Sequence, residues 1–434
     1  MSIRLAIIGA GILGTSFAYW ASRICNASIL VFEKEADVGL HATLRNTGVM
    51  HRPFYLNPAK KKIFAQSSQL SYEKFWLDYA KEKNLPWAQI GTYKIALNEE
   101  DVKELYKYMK WGLENGMDES ELEFLDGKEV KKFEPHVECV AAVLCKTDTA
   151  VDFKKFAEAL RYDAEAFGVK FLTNHQVLRI EVQNGKLNIF VKDREEPFQV
   201  DYVINSSGGS SLKIAQSMDL GLEYTDLHFR GEYWVVEPKF GELIHRNIYT
   251  VPYIKEYPFL DPHFIVRYNG VREIGPNAVL VASSETYNGL ANNPLELLYE
   301  IFEKPITNKL RLFVDKEFIT LVSREWRSSL FKREMCNRVR RFVPELKNEY
   351  LIRKGLAGVR NSVIDKKGFV PEAIELRNDY SCHIVNFNSP GATGAPAYSA
   401  YILNKLIKDG FLPLKAQKSY EMDRFKEIVD EFDQ

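Results

Sequence analysis

An α/β chain is predicted, with a helix-flanked parallel sheet assembled from separated segments and a mainly antiparallel sheet inserted into it. Three observations carry this: a strand–turn–helix–strand unit at the start, an aromatic and β-branched stretch in the middle, and glycine-rich turns at strand ends in three parts of the chain. The opening unit is the most informative. Residues 5–8 form an apolar strand, Gly9-Ala10-Gly11-Ile12-Leu13-Gly14 the turn, 15–23 the helix, and 28–32 a second strand ending on Glu33 and Lys34. Gly9 permits the tight turn, Gly11 lets backbone amides approach a pyrophosphate, and Gly14 lets helix and strand pack closely. Glu33, nineteen residues beyond Gly14, can accept hydrogen bonds from ribose hydroxyls. The helix N terminus adds free N–H groups and the positive end of its dipole. Together these predict a Rossmann-like dinucleotide site.

The remaining elements follow from local pattern. Asn57-Pro58 is an N-cap with a first-turn proline, so 59–83 reads as a long helix with Ile63, Leu70 and Leu77 on one packing stripe. Lys60, Lys61 and Lys62 oppose its dipole, which a carboxylate from protein or ligand would relieve. A strand at 91–97, a charged helix at 99–115 and an amphipathic helix at 153–167 come next, then strands near 169–172, 176–182, 188–191 and 199–204. Asn205-Ser206-Ser207-Gly208-Gly209 closes that run. Residues 227–280 are rich in aromatic and β-branched residues broken by Pro and Gly, which predicts the second sheet. Helices are expected at 295–306, 323–341 and 396–409. The last follows Ser389-Pro390-Gly391-Ala392-Thr393-Gly394, a small-residue loop able to hold an anion or an electron-rich ring.

Composition narrows the classes. The 434 residues suffice for two or three domains. With 58 basic against 59 acidic residues, nothing favours nucleic acid or strong attraction to an anionic membrane. Cys25, Cys139, Cys145, Cys336 and Cys382 contain no CxxC pair, which fits reduced, mostly buried thiols. The first strand begins two residues after Met1, leaving no room for a leader, and no apolar run reaches the roughly twenty residues of a spanning helix. The expected location is cytoplasmic. No Walker loop, GxSxG elbow, HExxH or Cys/His ligand cluster occurs, so no metal is expected.

The ordered glycine-rich sites resemble the FAD-dependent oxidoreductases of the D-amino-acid oxidase and glycine oxidase superfamily, and within it the L-2-hydroxyglutarate dehydrogenases and oxidases. That family's Asn-Ser-Gly-Val-Ile-His resembles Asn46-Thr47-Gly48-Val49-Met50-His51, followed by Tyr55, Pro58 and Lys62. Phe229-Arg230-Gly231-Glu232-Tyr233, Gly275-Pro276-Asn277-Ala278-Val279, Ala357-Gly358-Val359-Arg360 and the loop from Ser389 to Gly394 match further motifs, so the resemblance spans 3–405. It departs at Arg52-Pro53, where the family has Ala-Gly, and at Gly391, Gly394 and Pro396. The resemblance implies FAD, a discontinuous FAD-binding domain (1–85, 146–216 and 350–434) and a substrate domain (86–145 and 217–349). It also implies that Asn46, Thr47 and Gly48 contact the pyrophosphate or ring, and that Val177 and Ser207, Gly208 and Gly209 lie on the nucleotide half. Gly391, Ala392, Thr393 and Gly394 would approach the flavin's N1–C2=O edge, where negative charge collects on reduction.

The implied activity is oxidation of a small L-2-hydroxy acid, first of all L-2-hydroxyglutarate to 2-oxoglutarate, by hydride transfer from the substrate α-carbon to flavin N5. Electrons would pass on to a quinone, another carrier or oxygen. Peripheral contact with the inner membrane face stays open, since quinone-linked relatives dock that way. The chemistry needs a fork of donors for the carboxylate and a base for the hydroxyl proton. Arg360 is the first choice for the fork, against a structural ion pair. Arg230 is the second, against a cross-sheet pair with Glu232. His51 is the candidate base, against a hydrogen-bonded structural histidine or a flavin attachment point. His383 is a lesser alternative, and Lys62 and Arg52 are candidates for a distal carboxylate. Competing readings are an amino-acid or N-methyl-amine oxidase of the glycine/sarcosine type, a flavin protein without turnover, and plain NAD use.

Overall fold

Strand β1 (Ile3–Ile8) is the middle of a six-stranded sheet in the computed structural model, which describes residues 3–183, 185–253, 261–416 and 419–432. Helix α1 (Ile12–Ile24) makes the crossover to β2 (Ala27–Phe32), and β1 and β2 pair in parallel from Ile3↔Ala27 to Ile8↔Phe32. Lys170–Leu172 extends the sheet beyond β2. On the other side β1 pairs with Tyr202–Asn205, then Ser381–Val385, both parallel, and Ile374–Arg377 closes the edge antiparallel. Three distant segments thus build one sheet, so the nucleotide-binding unit is discontinuous in sequence. Phe17, Trp20, Phe75, Trp76, Tyr79 and Phe156 fill the core beside α1.

The turn after β1 shows why its glycines are needed. Gly9 has φ +90°, and a Cβ there would lie 2.7 Å from the Ser207 Cα. A Cβ on Gly14 would lie 1.8 Å from the Gly9 carbonyl, so α1 seats against β1 only without a side chain.

The inserted sheet has eight strands, in the order Leu351–Lys354, Trp234–Val236, Arg272–Gly275, His263–Val266, Asn247–Thr250, Thr92–Ala96, Ala141–Cys145 and Leu122–Asp126. All its pairs are antiparallel except Asn247–Thr250 with Thr92–Ala96. Part of the predicted stretch, residues 254–260, lies outside the described residues. Strand Leu351–Lys354 belongs to this sheet, beyond the expected boundary at 349/350. A four-stranded sheet lies next in the chain's path: Val279–Val281, Thr225–Gly231, Gly358–Asp365 and Gly368–Phe369.

Three helices differ from expectation. The stretch predicted as one helix over 59–83 is Lys62–Ser71, a wider π-type turn at Tyr72–Trp76, then Leu77–Glu82. The extra residue in that turn rotates the face, so Phe75, Trp76 and Tyr79 are buried while Leu77 is exposed and the Ile63–Leu70–Leu77 stripe ends. The lysine-rich start is relieved by protein: Glu372 Oε2 accepts from Ile63 N at 2.9 Å. The helix expected at 323–341 is two, Lys316–Leu330 and Lys332–Val339. The helix expected at 396–409 starts at Gly391 and runs to Lys408, and a further helix, Tyr420–Phe432, follows it. All five cysteines are free, and four are buried.

Candidate active site

A cavity of about 460 Å3 runs from the end of β2 to the junction of the inserted sheet with the four-stranded sheet. Its size is that of a small-molecule or cofactor site. Glu33, Lys34, His175 and Val177 line one end, and His51, Tyr55, Tyr249, His263 and Arg360 the other. Gly9, Gly11, Ile12, Leu13, Asn46, Thr47, Ser207, Gly208, Gly209, Gly391, Ala392 and Thr393 line the length between them. Ala10, Gly14, Gly48 and Gly394 support rather than line it. Ala10 N donates to Glu33 Oε2 at 2.8 Å, fixing the carboxylate at the end of β2. Gly48 has φ +68° in the turn that Asn46 Oδ1 holds by accepting from Gly48 N at 2.8 Å. Gly394 gives close helix packing, since a Cβ there would lie 2.5 Å from Ser67 Oγ.

The His51 end is built by strand register. Val49–Met50 pairs antiparallel with Thr149–Val151, Met50 opposite Thr149, so the next positions, His51 and Asp148, also face each other. Asp148 Oδ2 meets His51 Nδ1 at 2.8 Å, and Asp148 Oδ1 accepts from Arg52 N at 2.7 Å. Asp148 is fully buried. With Nδ1–H donated to the carboxylate, His51 Nε2 carries the lone pair. Nε2 lies 3.3 Å from the Tyr249 hydroxyl, and His51 N donates to Thr393 Oγ1 at 3.2 Å. The Tyr249 ring stacks on His263 with centroids 3.8 Å apart, and burial together with Lys94 and His51 keeps His263 well below the usual imidazole range.

Arg360 stands on strand Gly358–Asp365 opposite Phe229 and lines the cavity near Tyr55. Desolvation lowers its guanidinium to about 10, with Tyr55 opposing the shift. Lys61, half-buried and outside the cavity lining, lies within the field of Arg360: burial, then Arg360, lower it to about 8, while Glu372 raises it.

Other sequence candidates are placed elsewhere. Arg230 alternates to the face opposite Phe229 and is buried against Glu232 Oε1 at 3.1 Å and the carbonyls of Thr286 and Gly289, so it does not line the cavity. The pair with Glu232 is local, two residues along the same segment, rather than across the sheet. Arg52 is fully buried over Tyr72, bonds Glu73 and Glu121 at 2.8 and 2.9 Å, and does not line the cavity. Lys62 is exposed. His383 is buried between Asn205 and Ser381, each at 2.9 Å, and burial lowers it to about 4. Near the Glu33 end, His41 bridges Glu35 at 2.8 Å and Tyr287, and Glu285 pairs with Lys34; Glu35, His41 and Glu285 are thereby occupied with protein partners.

Sequence reasoning missed Asp148, Thr43 and Lys61. Asp148 is 97 residues from His51, and only the register of two short strands joins them. Thr43 Oγ1 accepts from Ile12 N at 3.0 Å, a side-chain partner for the first turn of α1 drawn from a loop without motif.

A glycine-cradled helix start, an acid at the end of β2, and an arginine in the same cavity as a histidine held by a carboxylate are the features of an oxidoreductase with a dinucleotide cofactor. The family model described as "FAD dependent oxidoreductase" matches residues 4–405, and the chain belongs to that family. The L-2-hydroxyglutarate dehydrogenase of Indibacter alkaliphilus is 30% identical over 411 residues, covering 94% of this chain and 100% of that protein. The mitochondrial L-2-hydroxyglutarate dehydrogenase of Homo sapiens is 28% identical over 431 residues, 93% of this chain and 89% of that one. Among solved structures, dithionite-reduced L-alpha-glycerophosphate oxidase from Mycoplasma pneumoniae with FAD bound superposes with TM-score 0.73 at 21% identity, over 96% of this chain and 97% of that chain. FAD is the cofactor, and the residues fit it: Gly9, Gly11, Ile12 and Leu13 bring the backbone at the start of α1 to the cavity wall, where a pyrophosphate belongs, while Thr43 Oγ1 holds Ile12 N. Among the described residues no helix is long and apolar enough to cross a membrane.

Proposed function

We propose that this enzyme oxidises the CH–OH group of a small L-2-hydroxy acid, L-2-hydroxyglutarate before others, to the 2-oxo acid. The observation that carries the reading is that Arg360 and His51, the latter held by Asp148, line one cavity together with the glycine-rich turns, supported by the names of relatives that match nearly the whole chain. FAD, when bound, supplies the two-electron acceptor for the C–H bond. Glu33 would hold ribose hydroxyls, Gly9 to Leu13 and Ser207 to Gly209 the phosphates, and Asn46, Thr47 and Gly391 to Thr393 the ring system. Arg360 receives the carboxylate as a fork of donors already stripped of water. His51 Nε2 takes the hydroxyl proton, and Asp148 holds the ring in the tautomer that leaves that atom free and stabilises the imidazolium formed. Lys61, within the field of Arg360, is the cation offered for a second carboxylate, in the role first sought at Lys62 and Arg52. The acceptor of the electrons is a quinone, another carrier or oxygen, and the location in this reading is cytoplasmic, with peripheral contact on the inner membrane face left open.

Anaerobic addition of L-2-hydroxyglutarate to the purified yellow protein should bleach the flavin bands, and glycine or sarcosine should not. Bleaching by amines alone would replace the hydroxy-acid reading with the amine-oxidase one. No bleaching by any hydroxy or amino acid would end both.

A further inference from the structure

Residues 282–290 form a compact loop at the Glu33 end of the cavity that no step of the chemistry uses. Its ends are tied, Ala282 N donating to the Leu290 carbonyl at 2.9 Å, so it is an Ω-like excursion folded on its own side chains. Inside it, Ser283 Oγ meets Thr286 Oγ1 at 2.9 Å, and Thr286 is fully buried. Arg230 Nη1 donates to the carbonyls of Thr286, at 3.3 Å, and of Gly289. Arg230 is 1% exposed, and Glu232, itself bonded by Asn277 Nδ2 at 3.0 Å, holds its guanidinium in place. The loop therefore hangs from a buried post.

Its tip reaches the opposite wall. Ser284, Glu285 and Tyr287 line the cavity, and so do Lys34, His41 and Arg45. Glu285 pairs with Lys34. The Tyr287 hydroxyl meets His41 Nδ1 at 2.5 Å, and the Arg45 guanidinium lies 4.0 Å from the centroid of the Tyr287 ring. Ser284 presses on the turn after Asn205: a Cβ on Gly209 would lie 2.5 Å from Ser284 Cβ. The loop follows strand Val279–Val281 of the four-stranded sheet, whereas Lys34, His41 and Arg45 follow β2 of the six-stranded one. These contacts thus join two parts of the fold across the cavity. The ion pair is weak by itself, since the Lys34 and Glu285 side chains are 23% and 42% exposed. Weak contacts at the tip of an anchored loop suit a segment that opens and recloses.

We propose that residues 283–289 are a strap over the FAD site, which the dinucleotide passes on entry and exit when Glu285 and Tyr287 let go of Lys34, His41 and Arg45. Arg230, which does not line the cavity, is a positioning residue: it sets the height from which the tip reaches across. Such a strap makes the dinucleotide a resident group rather than a cosubstrate exchanged at each turnover, a distinction from plain NAD use that the glycine turn alone does not make. The inference rests on FAD fitting the cavity and is independent of which acid is oxidised.

The test follows FAD itself. Holoenzyme carrying radiolabelled FAD is chased with excess unlabelled FAD, and the label retained after desalting is read against time. Uptake is read from the quenching of FAD fluorescence on mixing with the full-length apoprotein. A strap is a barrier in both directions, so Glu285→Gln/Tyr287→Ala should speed release by about tenfold or more and uptake by a similar factor, leaving equilibrium affinity nearly unchanged. Faster release with unchanged uptake would make the two side chains plain FAD contacts and overturn the strap, and so would wild-type rates in both directions. Arg230→Lys keeps a cation beside Glu232 but has no fork for two carbonyls, and it should show the same paired acceleration. Wild-type exchange in that variant overturns the anchoring role. If the double variant fails to fold, Tyr287→Phe decides: it keeps the ring under Arg45 and loses the bond to His41, so both rates should rise about threefold, and unchanged rates overturn the proposal. Label that stays with the chain through denaturation would show a covalent bond, not a strap, holding the flavin. None of these readouts involves substrate, so failure of the hydroxy-acid reading would show separately, as wild-type holoenzyme that no hydroxy acid bleaches.

Discussion

Replacing Arg360 with methionine should stabilise the ligand-free protein while crippling carboxylate binding. Burial lowers the guanidinium from its ordinary 12.5 to about 10. At 1.36 kcal/mol per unit, keeping it charged inside the protein costs about 3 kcal/mol. The sign follows from linkage: the folded state holds this proton less tightly than the unfolded chain. The deficit is therefore complete below pH 10 and shrinks only as pH rises from 10 towards 12.5. Methionine, of comparable length and uncharged, escapes that cost, so urea unfolding at pH 7 should show the variant more stable by about 1–3 kcal/mol. A bound carboxylate offsets the same cost in wild type. Losing the buried charge-assisted pair should weaken 2-oxoglutarate binding by about 2–5 kcal/mol, roughly 30- to 5,000-fold, read from the ligand-induced shift of the flavin spectrum. A variant that is less stable than wild type and binds 2-oxoglutarate equally well would refute the reasoning and make Arg360 a structural residue.

Other expectations follow from the same geometry. His51→Asn should slow anaerobic flavin reduction by about two to four decades, and Asp148→Asn by about one to two, because the latter keeps the base but weakens the bond that orients it. Gly9→Ala adds a Cβ at φ +90° against Ser207, so the flavin-to-protein absorbance ratio after purification should collapse; a full complement of FAD would show that the turn can yield. Arg230→Met takes the nearest cation from Glu232, which keeps the Asn277 amide and Lys354, and should lower stability by about 1–3 kcal/mol with unchanged substrate affinity, whereas a selective rise in KM would return Arg230 to the site. For His383, the imidazole is neutral in the fold down to about pH 4 while the unfolded chain protonates near 6.5. Stability should accordingly fall as pH drops from 6.5 to 4, and His383→Gln should flatten that slope in a melting series.

The nucleotide half was legible because its physics is local. Gly9, Gly11, Gly14 and Glu33 act within one strand–turn–helix–strand unit, and each leaves a mark at fixed spacing. The alternation and aromatic content of 227–280 likewise announced a sheet. The catalytic end was read only partly, because it is made by pairings between distant segments. His51 was recognisable, yet Asp148 became its partner through a two-residue ladder that no pattern signals. Arg230 and Arg360 looked alike in sequence, since both occupy strands; only the side of the sheet separates them, and that depends on register. Lys62 was singled out by the family resemblance, but it is exposed, and the cation whose field meets Arg360 is its neighbour Lys61, the cap of that helix.

The wide turn at Tyr72–Trp76 reaches further than its own packing. It aims the Trp76 indole so that Nε1 donates to the Thr393 carbonyl at 2.7 Å, and Thr393 in turn receives the His51 amide. One surplus residue thus sets the height of the helix start, Gly391 to Thr393, that lines the cavity. Deleting it would leave every motif intact to the eye and misalign the machinery, so the length of this helix is as much a part of the enzyme's inheritance as any residue that does chemistry.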